Sequence, residues 1–108
     1  VQTAARLMRD RRISSLFVTN GQEIVGILTD TDMVRRVAAT GVDTLTTTAE
    51  QIMSAPILTI EEDKTVLDVS DLMAEKHIRH LGVTQGGKLV GMISVRDILA
   101  FLTNLRKK

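Results

Sequence analysis

Two heptapeptides carry the residue types closest to chemistry: Gly26-Ile27-Leu28-Thr29-Asp30-Thr31-Asp32 and Gly91-Met92-Ile93-Ser94-Val95-Arg96-Asp97. Each runs glycine, two apolar residues, a hydroxyl residue, two variable positions and an aspartate. A hydroxyl followed three residues later by a carboxylate is the pattern of a capping box, in which both side chains satisfy orphan backbone N–H groups where a helix starts. The same place can serve a ligand. Free N–H groups and partial positive charge at a helix start suit a phosphate, and a Thr or Ser hydroxyl adds a donor. An acceptor-only carboxylate suits a vicinal diol such as a ribose, and a nucleotide carries both groups. The glycine allows close approach of the backbone to a ligand or a neighbouring strand, or marks a bulge.

Other candidates are weaker. Asp30 and Asp32 form a carboxylate pair that suggests Mg²⁺ or acid–base work, but no positioned nucleophile or phosphate clamp accompanies them, and helix-start acids are the simpler account. No catalytic residue is assigned, and an enzyme is not expected. His77 and His80 lack a third ligand nearby, so no metal site is expected, whereas His80 can contact a phosphate. Arg6, Arg9, Arg11 and Arg12, interrupted by Asp10, read as a solvated helix face, and Arg106-Lys107-Lys108 as a polar tail. Met8, Met33, Met53, Met73 and Met92 fall on apolar positions as core filler.

The elements that position these residues repeat. Val1 to Met33 aligns without a gap on Val66 to Ile98, with eleven identical pairs that include Leu7/Leu72, Ile13/Ile78, Val18/Val83, Gly26/Gly91 and Asp32/Asp97. In the second copy Thr65 and Asp68 open a helix through Val66, Val69, Leu72 and Met73, ending near His77. Strands at Leu81 to Thr84 and Leu89 to Ile93 flank the turn Gln85-Gly86-Gly87. A last helix places Ile98, Phe101, Leu102 and Leu105 on one face.

The first copy follows the same order: a helix through Ala4, Leu7 and Met8, strands Leu16 to Thr19 and Ile24 to Leu28 about Asn20-Gly21, and a helix with Met33, Val34 and Val37. Between the copies, Thr40 to Thr48 reads as loop, and Thr48 with Gln51 opens a short helical turn. The strand-like Ile57-Leu58-Thr59-Ile60 has no counterpart before Val1, and the chain opens without methionine inside a helical pattern. The expectation is a chain that starts partway through a larger protein, its first copy lacking its first strand. Units this small cannot bury a sufficient core alone, so the two are expected to pack about a pseudo-twofold axis, leaving two related clefts.

Bulk composition narrows the classes. The 108 residues carry 14 basic and 13 acidic side chains for a net charge of +1, too little field to gather nucleic acid or an anionic membrane. Phe17 and Phe101 are the only aromatic rings, which leaves no stacking platform for single strands. The absence of cysteine removes disulfides and thiolate sites and is compatible with a reducing cytoplasm, the expected location. No apolar run nears the roughly 18 residues that span a bilayer, so no membrane insertion is expected.

The two heptapeptides, with Ile78-Arg79-His80-Leu81-Gly82-Val83 and Met53-Ser54-Ala55-Pro56-Ile57, resemble the cystathionine-β-synthase (CBS) domain family, found as tandem pairs called Bateman modules. The resemblance covers nearly the whole chain. It implies an α/β (α+β) fold of two CBS units, each a small mixed sheet packed with two helices, with residues 1–48 as the first motif and 49–108 as the second. It further implies a regulatory module that senses AMP, ADP, ATP, NAD or S-adenosylmethionine, requires no cofactor, forms a homodimer and controls a partner domain or protein in signal transduction. The alternative is a structural dimerisation module with vestigial clefts.

By the family pattern, Asp32 and Asp97 accept from ribose hydroxyls while Thr29 and Ser94 lie beside ribose and phosphate. One site would combine Thr29, Asp30 and Asp32 with Ala55, Pro56 and Ile57 around the base and Arg79 and His80 near phosphate. The other would join Ser94, Arg96 and Asp97 to Ser14 and Ser15 and, lacking cations there and the strand before Val1, is expected to be weaker or empty. Gly82 departs from the proline usual in the family, and Phe17 holds the matching position in the first copy.

Overall fold

A computed structural model describes residues 1–107, with side chains through residue 104. The chain divides into two compact units, Val1–Ile57 and Leu58–Lys108.

In the first unit α1 (Gln2–Arg11) leads into a hairpin of β1 (Ser15–Asn20) and β2 (Glu23–Thr29). A single turn, α2 (Asp30–Asp32), continues into a π-helical stretch over Met33–Ala38, and α3 (Ala49–Ile52) follows the polar loop. The hairpin is antiparallel, Leu16 facing Leu28 and Val18 facing Gly26, with an irregularity between Val18 and Thr19. Met8, Val18, Leu28, Val37 and Ile52 make the buried core, so the helical and alternating periods converge on one aliphatic cluster. Leu7, expected inward on α1, is 40% exposed.

The second unit adds the strand that the first lacks. β3 (Thr59–Glu61) pairs parallel with β4 (His80–Gln85), which pairs antiparallel with β5 (Lys88–Ser94). The mixed sheet therefore belongs to the second unit, while the first has the hairpin alone. Between β3 and β4 runs α4 (Val66–Lys76), opened by the expected capping box: Thr65 accepts from the Asp68 N–H and Asp68 accepts from the Thr65 N–H. The core is Val69, Met73, Leu81 and Ile98. On the terminal helix α5 (Val95–Lys107) Ile98 is buried, whereas Phe101 and Leu102 are 47% and 45% exposed. The expected inward positions of Leu105 and the tail Arg106-Lys107-Lys108 lie outside the described side chains.

The repeat extends to details that the alignment did not contain. The second hairpin is irregular between Val83 and Thr84, the positions matching Val18 and Thr19. The Asp30 N–H donates to the Ser14 carbonyl at 2.9 Å, and the matching Val95 N–H donates to the Arg79 carbonyl at 3.0 Å.

Candidate functional site

In each unit the hydroxyl and the carboxylate meet where the second hairpin strand hands over to a helix. In the first unit the Thr29 N–H donates to Asp32 Oδ2 at 3.0 Å and the Asp32 N–H donates to Thr29 Oγ1 at 3.2 Å. The Thr31 N–H donates to Asp30 Oδ1 at 2.8 Å, and the Asp30 N–H is taken by the Ser14 carbonyl. Every backbone N–H from Thr29 to Asp32 therefore has a protein acceptor. This corrects the expectation that the first unit offers free N–H groups to a phosphate at this turn: the capping box and the Ser14 carbonyl consume them.

Asp32 goes further than a cap. It is 5% exposed, and its other oxygen, Oδ1, accepts from Ser54 Oγ at 2.9 Å and lies 3.7 Å from Arg36 Nε. Arg36 in turn donates from Nη1 to the carbonyls of Ile52 at 3.2 Å and Met53 at 2.8 Å. The same segment is stitched to β2 by a two-bond bridge, Ile27 N–H to the Ser54 carbonyl at 3.0 Å and Ser54 N–H to the Ile27 carbonyl at 2.8 Å. A burial this complete is tolerable for a carboxylate because both oxygens are compensated.

Gly26 makes this approach possible. A β-carbon there would stand 2.9 Å from the Ser54 carbonyl oxygen and closer still to Met53 Sδ, whereas one at the matching Gly91 would meet nothing within 4 Å. Of the readings open for this glycine, close approach of a neighbouring segment holds in the first unit. That segment reaches Ser54, and Ala55, Pro56 and Ile57 follow it within the first unit, Ala55 and Pro56 exposed and Ile57 half-buried.

The second unit presents its carboxylate differently. The Ser94 N–H donates to Asp97 Oδ2 at 2.8 Å, Ser94 Oγ donates to the same oxygen at 3.1 Å, and the Asp97 N–H donates to Ser94 Oγ at 3.2 Å. Asp97 is exposed, and both of its bonds to Ser94 as acceptor fall on Oδ2. The ranking from sequence rested on nearby cations and on the strand missing before Val1; in the exposure of the carboxylate itself, Asp97 exceeds Asp32. His80 lies opposite Ser94 in the β4–β5 register, and the Arg79 carbonyl holds the Val95 N–H, so Arg79, His80, Ser94, Arg96 and Asp97 share one end of this hairpin. Ser14, Ser15, Thr29, Asp30 and Asp32 share the corresponding end of the first, Ser15 lying opposite Thr29.

Two participants went unassigned in the sequence, Arg36 and Ser54. Arg36 stands four residues after Asp32, a spacing that brings helical side chains together and was readable in principle. Ser54 meets Asp32 across the fold, which no local pattern announces. Among the described residues, no group of three or more His, Asp or Glu side chains converges as a metal site would require, and no helix is long and apolar enough to cross a membrane.

Comparison with known proteins bears on these features. The family model described as CBS domain matches residues 1–39 and 49–104. Protein MK0525 of Methanopyrus kandleri is 38% identical over 94 residues, covering 85% of this chain but 48% of the relative, so this chain spans about half of that protein's length. The solved structure of a protein with CBS domains from Burkholderia ambifaria matches with a TM-score of 0.90 at 35% identity, over 96% of this chain and 76% of that one. The CBS domain pair of protein MJ0100, solved in complex with 5′-methylthioadenosine and S-adenosyl-L-methionine, matches with a TM-score of 0.77 at 26% identity, over 99% of this chain and 82% of that one.

Proposed function

This chain belongs to the CBS domain family as a tandem pair, and from that premise we propose that it is a regulatory, non-catalytic module that binds an adenosyl ligand and passes its occupancy to a partner domain or protein. The observation that carries this reading is the repeated hydroxyl-and-aspartate device at the strand-to-helix handover of both units, in a fold shared with a pair that holds two adenosyl compounds.

Asp97 is the acceptor ready for a ribose diol: it is exposed, and its bonds to Ser94 fall on one oxygen, Oδ2. Arg79, His80 and Arg96 near it favour a ligand with an anionic group, AMP, ADP, ATP or NAD, over an uncharged one. In the first unit Thr29, Asp30 and Asp32 would serve the sugar, and the exposed Ala55 and Pro56 with Ile57 the base. Ser14 and Ser15 complete that hairpin end.

Isothermal titration with AMP, ADP, ATP, NAD and S-adenosylmethionine tests the reading. Binding of at least one at millimolar concentration or below is expected, and failure of all five removes it. A second reading, a dimerisation module, is favoured by the apolar side chains Leu99, Phe101 and Leu102 that α5 leaves exposed. It predicts a dimer by light scattering and no thermal shift with any of the five.

A further inference from the structure

We infer that Ser54 and Arg36 form a latch that competes with ligand for Asp32, so that the first unit binds an adenosyl compound only as the segment over residues 52–54 lets go. The inference rests on the proposed adenosyl binding and assigns two positioning residues to it.

The geometry is specific. A ribose diol needs a carboxylate it can reach, and Asp32 is 5% exposed, its Oδ2 facing the Thr29 N–H and its Oδ1 covered by the Ser54 hydroxyl. Thr29 cannot be given up without opening the turn, since its own hydroxyl accepts the Asp32 N–H. Ser54 is the bond that can exchange, because a serine hydroxyl released into water loses little while the carboxylate takes a new donor in its place.

Exchange at Ser54 does not end there. The same residue carries both backbone bonds to Ile27, and Arg36 bridges Asp32 to the carbonyls of Ile52 and Met53. A donor arriving at Oδ1 therefore loosens three attachments of one segment, and that segment runs through Ile57 directly into the second unit. Ligand affinity is lowered by the cost of opening the latch, and the opened segment carries the signal.

The test titrates S-adenosylmethionine and AMP into the wild-type chain and into Ser54→Ala, Ser54→Thr and Arg36→Gln, and follows amide exchange at Ile27 and Ser54. Ser54→Ala should bind roughly tenfold more tightly than wild type, and Ser54→Thr, which keeps the hydroxyl, should restore wild-type affinity. Ligand should speed exchange of both amides in the wild type. Arg36→Gln, exposed and safe for folding, should tighten binding and speed exchange at Ser54 without ligand, which keeps the test open if Ser54→Ala unfolds. Binding to Ser54→Ala alone, with a silent wild type, supports the latch. Equal affinities with unchanged exchange, or weaker binding by Ser54→Ala, overturn the latch and leave adenosyl binding standing. Absence of binding by every form overturns both.

Discussion

Arg12 and His77, equivalent positions of the two repeats, end their helices in the same left-handed conformation, at φ 54°, ψ 45° and φ 54°, ψ 44°. The following residue then closes each helix, Ile13 N–H to the Met8 carbonyl at 3.1 Å and Ile78 N–H to the Met73 carbonyl at 3.0 Å. Neither position is a glycine, so a β-carbon is held where it crowds the backbone, a cost of about 1 kcal/mol. Arg12→Gly and His77→Gly should each stabilise by about 0.5 kcal/mol after the extra freedom of the unfolded glycine is discounted, raising Tm by a degree or more in thermal denaturation. A lower Tm for both would show that the side chains contribute more than the conformation costs.

The two glycines of the heptapeptides should part company. Gly26→Ala drives a methyl group against the Ser54 carbonyl and Met53, and backbone cannot give way cheaply, so a loss of about 2 kcal/mol is expected. Gly91→Ala, with open space around it, should stay within about 0.5 kcal/mol of wild type. Urea denaturation of the two variants decides the matter.

The two aspartates should part likewise, in the opposite currencies of stability and binding. Asp32→Ala strands the Ser54 hydroxyl, the Thr29 N–H and Arg36 and should cost about 3 kcal/mol by the same measurement. Asp97→Ala removes an exposed cap and should cost about 1 kcal/mol, while abolishing calorimetric adenosyl binding in the second unit. Equal stability losses would mean that burial of Asp32 is not what holds the first unit.

Asp68 predicts an acid limb. The Thr65 N–H and then its hydroxyl hold the carboxyl below its ordinary value of 3.8, partly offset by desolvation, with Lys64 assisting. A folded value lower than the unfolded one contributes stability that is complete above pH 4 and drains away as pH falls through the lowered value. Asp68→Asn should therefore flatten the decline in Tm below pH 4 while leaving its shape near neutrality unchanged. An identical acid limb in the variant would assign the decline to other carboxylates.

The hairpins, α1, α4 and the capping boxes at Thr29, Thr48 and Thr65 were legible because each is a local pattern, and the helix and hairpin occur once in each copy. Leu81 and Leu28 sit at zero exposure within the apolar strand segments that the sequence marks. What escaped reading was long-range or one-sided. Ser54 reaches Asp32 through a loop whose course no periodicity encodes, and Gly26 shows the same glycine as Gly91 in sequence while only one has a neighbour to admit. The outward Phe101 and Leu102 lie on a helical stripe that predicts burial but cannot say against what. The device at Thr29 and Asp32 was correctly located, yet its sequence gives no measure of how fully the protein itself uses those groups.

The π-helical stretch over Met33–Ala38 begins where the two copies cease to match. There the Ala39 N–H reaches back five residues to the Val34 carbonyl at 2.9 Å, so the turn holds one residue more than an α-turn. The gapless correspondence between copies stops at Met33 and Ile98, where this stretch begins. A one-residue insertion in an ordinary helix would swing everything beyond it by about 100°. A π-turn confines such a change to one turn, and this stretch carries both Arg36, bonded to Ile52 and Met53, and the buried Val37.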